Sequence, residues 1–128
     1  MKAILDTRIF LWWNLDDVQL SDTIREIISD GSNALYLSAA SAWEIAIKAG
    51  RGMLTLPEPP GKFIANRLTL HRIQPLAVQL SHAAHVYNLP DHHRDPFDRL
   101  LIAQGQLEEM AILTADPVFA KYRVVTIK

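Results

Sequence analysis

Four short apolar runs, Ala3–Leu5, Ala34–Leu37, Met110–Leu113 and Val124–Ile127, are separated by segments whose apolar residues recur at helical spacing. Runs so short, without a polar residue at every second position, fit strands covered on both faces, and strands that alternate with helices fit a mainly parallel sheet. The alternation therefore predicts an α/β chain with helices packed on both sides of the sheet, in three layers. The first helix follows Asp6-Thr7 and carries Ile9, Phe10, Trp12 and Trp13. Ser21 caps a second through Ile24, Ile27 and Ile28, which Asp30-Gly31 ends. Ser41-Ala42-Trp43-Glu44 opens a third, closed by Gly50 and Gly52. A proline-rich loop from Leu56 to Pro60 leads into a helix through Phe63, Ile64 and Leu68, then a brief strand at Arg72–Gln74 and a helix over Leu80–Tyr87. Pro96 stands at the first position of a last helix through Leu100, Leu101, Ile102 and Ala103. No repeat or linker interrupts the 128 residues, which predict a single domain over 1–128.

Composition narrows the chemistry. With no cysteine, the chain has neither a disulfide framework nor a thiolate metal site, so any metal must sit on oxygen or imidazole. A net charge of −1 supplies no global basic field, and contact with a nucleic acid must be local. Met1 runs straight into Ala3-Ile4-Leu5 without a basic-apolar leader, and no apolar stretch is long enough for a membrane span. A cytoplasmic protein without a membrane partner is expected.

In open parallel sheets, ligands bind outside the carboxyl ends of the strands. Asp6 and Asp116 each follow a predicted strand, Glu44 lies near the start of the helix after the second strand, and Asp98 near the start of the last helix. All four can meet at one rim. Two unit charges ~4 Å apart repel by roughly 4 kcal/mol at an effective dielectric near 20, so converging carboxylates must share protons or hold a cation. An all-carboxylate set suits Mg²⁺ or Mn²⁺, which polarise a phosphate and lower the pKa of a bound water. Thr7 and Thr114 flank the acids and are placed to orient them.

Each acid also has a structural reading. Glu44 stands three residues after Ser41 and can complete a capping box. Asp95 before Pro96 makes a natural N-cap, Asp98 in the first helical turn suits the helix dipole, and Asp116 before Pro117 can start a turn. Asp6, directly after a buried strand, has few such structural reasons. Adjacent His92 and His93 invite a zinc or general-base reading, but consecutive residues rarely point at one site, and a surface loop is expected there. On a helix, neighbouring Trp12 and Trp13 diverge by about 100°, so one indole is expected to pack inside and the other to line a protein interface.

Four segments, Leu5-Asp6-Thr7, Ser38 through Ala46, His93 through Gln104 and Leu113 through Asp116, resemble in order and spacing the motifs of PIN domains, in particular VapC-like toxins of VapBC toxin–antitoxin pairs. The resemblance runs from end to end. It implies a roughly five-stranded parallel sheet, homodimerisation, a VapB-like antitoxin, and metal-dependent cleavage of RNA such as tRNA, rRNA or mRNA. Carried over by position, it assigns Asp6, Glu44, Asp98 and Asp116 as catalytic and Mg²⁺- or Mn²⁺-binding residues, with Asp95 in support. Arg8 departs from the His common at that position, and it can either hold a phosphate or neutralise an acid. Lys48, Arg94 and Arg99 are candidates for a local basic rim that contacts RNA, whereas Arg51 reads as solvated surface. The alternative function is a degenerate PIN domain that binds RNA or protein without cutting. Aspartate-based phosphotransfer domains are disfavoured, because Thr7 and Arg8 stand where such domains place a second acid.

Overall fold

A computed structural model describes residues 1–128 as a five-stranded, all-parallel sheet in the order β3-β2-β1-β4-β5. The strands are β1 (Lys2–Leu5), β2 (Ala34–Ser38), β3 (Gln74–Leu76), β4 (Ala111–Leu113) and β5 (Thr126–Ile127). Six α-helices connect them: α1 (Thr7–Asn14), α2 (Asp22–Ser29), α3 (Ala39–Gly50), α4 (Pro60–His71), α5 (Leu80–His85) and α6 (Pro96–Glu108). No helix is long and apolar enough to cross a membrane.

The sheet is covered on both sides because successive side chains of a strand leave it in opposite directions. Ala3, Leu5, Leu35, Leu37 and Leu113 join one buried cluster with Ile9, Phe10, Ile24, Ile28 and Phe63. Ile4 and Ile112 join a second with Leu101, Ile102, Ala103 and Phe119. This double burial is why the strands lack a polar face. Strand order reverses direction at β1, which pairs with β2 on one side and β4 on the other, so the crevice beyond Leu5 and Leu113 is the topological switch point.

Several boundaries differ from expectation for local reasons. α3 begins at Ala39 under a Ser38 cap, so Ser41 lies inside the helix and does not form a capping box with Glu44. The brief strand falls at Gln74–Leu76 because Arg72 closes α4 in a left-handed conformation, φ 55, which cannot start a strand. The helix from Leu80 ends at His85 and continues as a 3₁₀ turn over Val86–Asn88, and the turn that Asp116 starts is a 3₁₀ turn over Pro117–Lys121. Trp12 and Trp13 are both half-buried against the same cluster, so neither indole is left wholly outside, contrary to the expected split.

Because β1 is sealed on both faces, Ile4→Ala and Leu5→Ala should each lower the unfolding free energy by roughly 2–5 kcal/mol. Urea denaturation checks this, and a near-neutral result at either position would mean that one face is open.

Candidate metal centre

Asp6 leaves β1 and caps α1, its Oδ1 accepting the Ile9 amide at 2.7 Å. Asp116 caps the turn after β4, its Oδ1 accepting the Val118 amide at 2.9 Å. Asp95 caps α6 through the amides of Phe97 and Asp98 at 2.8 and 3.3 Å, which sets Asp98 in the first helical turn. The structural reading therefore holds for Asp95 and Asp116, and equally for Asp6. It does not compete with a site, because the amide bonds of each cap fall on one carboxylate oxygen, Oδ1, alone.

Asp6, Glu44, Asp95, Asp98 and Asp116 line one cleft of about 280 Å³. Glu44 is buried on α3, and both of its oxygens are engaged: Thr7 Oγ1 donates to Oε1 and Lys48 Nζ to Oε2, each at 2.6 Å. Ser41 Oγ lies 2.9 Å from the same Thr7 oxygen, so the buried hydroxyl that replaces the expected capping box ties α3 to α1. Thr114 stands beside Asp6 and accepts the Asp116 amide at 3.0 Å, linking the acids that follow β1 and β4.

Crowding and burial work against charge on two of these acids. Burial pushes Asp6 up to about 6, against the pull of the Thr114 hydroxyl, the Ile9 amide and the Arg8 charge. Asp98 rises to about 8, through burial first and then repulsion from Asp95, Asp6, Glu44 and Asp116. Carboxylates raised together in one cleft fit a divalent cation, which would relieve both causes. The donors are oxygens, with one imidazole, and His93, Asp98 and Asp116 each offer a ligand atom within 4.8 Å of the others. That chemistry suits Mg²⁺ or Mn²⁺.

The basic residues divide. The Arg8 guanidinium lies over the Trp12 ring, 5.8 Å from its centroid, lines the cleft and forms no ion pair with Asp6. Arg94 is exposed beside the acid block, and Arg51 is exposed as expected. Lys48 is not a free phosphate contact: Glu44 and Lys48, four apart on α3, meet as an ion pair. Arg99 is turned inward, donating to the carbonyls of Val86, Leu89, Pro90 and His93 at 3.2, 3.4, 3.0 and 3.2 Å. It anchors a loop and does not belong to an RNA-facing rim. The sequence reading also missed His93, whose side chain is 16% exposed and whose Nε2 lies 3.0 Å from both Asp98 Oδ2 and Asp116 Oδ2. His92 stays exposed, edge-on to Tyr122. The rule that neighbours diverge was sound, but it left one of the pair free to enter the site.

The family model for the PIN domain matches residues 3–125. Ribonuclease VapC16 of Mycobacterium tuberculosis (strain ATCC 25618 / H37Rv) is 44% identical over 61 residues, 48% of this chain and 43% of that protein. The match spans less than half the length of that relative. Among solved structures, VapBC2 from Rickettsia felis bound to a DNA fragment from their promoter superposes with TM-score 0.73 at 12% identity, covering 99% of this chain and 98% of the other. FitAB bound to an IR36 DNA fragment gives 0.67 at 18% identity, covering 98% and 93%. These two establish likeness of fold.

Both shifted acids have a folded pKa above the unfolded one, so the metal-free fold binds extra protons between pH about 4 and 8, and stability is lost as pH rises through 6 and 8. Thermal melts of metal-free protein should show Tm falling over that window, with Mn²⁺ raising Tm more at pH 8 than at pH 5. Asp98→Asn should flatten the upper part of the profile, and a Tm that climbs from pH 5 to 8 without metal would contradict the assignment.

Proposed function

Since the chain belongs to the PIN domain family, we propose that it is a Mg²⁺- or Mn²⁺-dependent endoribonuclease of the VapC toxin type, built as a single domain over 1–128. It acts in the cytoplasm on structured RNA (tRNA, rRNA or mRNA) and restrains translation until a VapB-like antitoxin neutralises it. A homodimer is the assembly that goes with this reading. The convergence of Asp6, Glu44, Asp98 and Asp116 on one cleft at the switch point of the sheet carries the proposal. Its kinship with a protein described as a ribonuclease supports the choice of substrate.

Asp6, Asp98 and Asp116 would hold the cation, each with oxygen capacity that capping does not use. When bound, a divalent cation polarises a phosphate and lowers the pKa of a water. The chain's own residues do the rest. Glu44, fixed by Thr7 and Lys48, lines the cleft beside Asp98 as one of its acidic walls. Asp95 fixes the backbone that carries Asp98. Arg8, at the lip of the same cleft and free of an ion pair, is the group placed to take an RNA phosphate, with exposed Arg94 as a second contact.

Purified protein incubated with total RNA should give new ends only when Mg²⁺ or Mn²⁺ is present. Asp6→Asn, Asp98→Asn and Asp116→Asn should each reduce cleavage by at least about 100-fold, beyond the 10- to 100-fold typical of supporting residues. Absence of any metal-stimulated product would favour the binding-only alternative.

Arg8→Ala should weaken RNA binding without sequence preference and lower the slope of log K against log salt by about 1. Filter binding across a salt series reads both.

A further inference from the structure

His93 is held from several directions. Its amide donates to the Tyr122 hydroxyl at 2.7 Å and its carbonyl accepts from Arg99 at 3.2 Å. Its ring packs edge-on to Phe119, centroids 5.8 Å apart, and Arg99 fastens three further carbonyls of the same segment to α6. The imidazole is thus delivered to one place by the fold.

The two ring nitrogens have different partners. Nδ1 accepts the Asp95 amide at 3.2 Å, so its lone pair is in use and a neutral ring carries its proton on Nε2. Nε2 in turn is hydrogen-bonded to Asp116 Oδ2 at 3.0 Å and stands 3.0 Å from Asp98 Oδ2, on side chains that come from the turn after β4 and from α6. Coordination of a metal would need a bare Nε2. The proton would then move to Nδ1 and face the Asp95 N–H, donor against donor. That amide cannot turn away, because Asp95 is the N-cap of α6.

We infer that His93 is a positioning residue, whose Nε2–H donates to the Asp116 carboxylate and holds it beside Asp98 at the separation a divalent cation needs, and that it is not itself a ligand. The inference rests on the metal site proposed above. A donor between two converging carboxylates offsets part of their repulsion before the cation arrives and keeps the pocket formed.

Two measurements on the full chain test it. Nitrogen-15 NMR of histidine-labelled wild-type protein, with and without Mg²⁺, should show His93 protonated on Nε2 and bare on Nδ1 in both states. A proton on Nδ1, or loss of the Nε2 proton on adding Mg²⁺, overturns the inference without any variant having to fold. Mn²⁺ titration should then give a dissociation constant raised about 10- to 100-fold in His93→Ala and partly restored in His93→Gln, whose terminal amide keeps a donor near the Nε2 position. Equal Mn²⁺ binding by wild type and His93→Ala overturns this inference alone. Failure of the wild type to bind Mn²⁺ overturns the proposed metal site along with it.

Discussion

Asp6, Asp95 and Asp116 each accept a backbone amide at the start of a helical segment, at 2.7, 2.8 and 2.9 Å. A cap of this kind contributes about 1 kcal/mol and places the carboxylate where the helix dipole favours its charge. It also fixes the side chain, so that the orientation of the second oxygen is already decided by secondary structure. Everything else at the carboxyl edge follows from that double use. An acid that caps a helix is already ordered, and the conformational entropy of gathering a metal site is met largely by the same contacts that start α1, α6 and the turn after β4. Asparagine caps as well as aspartate, so charge can be removed here without removing the cap.

The electrostatics explain how a chain of net charge −1 supports a strongly acidic cleft. Positive groups lie around the cleft without filling it. Lys48 is spent on Glu44, Arg8 rests over Trp12, and Arg99 is committed to carbonyls of the preceding loop. Burial raises the pKa of Asp6 and Asp98, and at Asp98 repulsion from four other acids adds to it. A site under this strain without a cation is one that a cation stabilises.

Much of this was legible in the sequence. Period-two burial in β1, β2 and β4 left apolar runs without alternation, which separates a parallel sheet from an antiparallel one, and Ser21, Asp95 and Pro96 marked helix starts where they occur. The four acids were found because positions just after strands and at helix starts share an edge in this topology. What sequence did not reveal depends on partners distant in the chain. Ser41 faces Thr7 across a helix pair, 34 positions away, instead of capping its own helix. Arg99 and Lys48 carry the same charge as a phosphate-binding residue would, and only the acceptors around them show that they are already used. His93 is distinguished from His92 by partners its ring meets only in the fold, Phe119 edge-on and Asp116 Oδ2 at 3.0 Å, 23 positions away.

The strand order gives the site one more property. Asp6 and Glu44 come from the first half of the chain, whereas Asp98 and Asp116 come from the second. A cation held by acids from both halves would join them across the edge of the sheet. Because an unfolded chain would not assemble these ligands, binding adds to stability by mass action, about 2.7 kcal/mol at a free concentration 100 times the dissociation constant. Repulsion in the empty cleft lowers stability at the same place, so metal binding and folding draw on one set of contacts. The same carboxylates therefore link the start of the helices, the joining of the two halves and the chemistry proposed for the cleft.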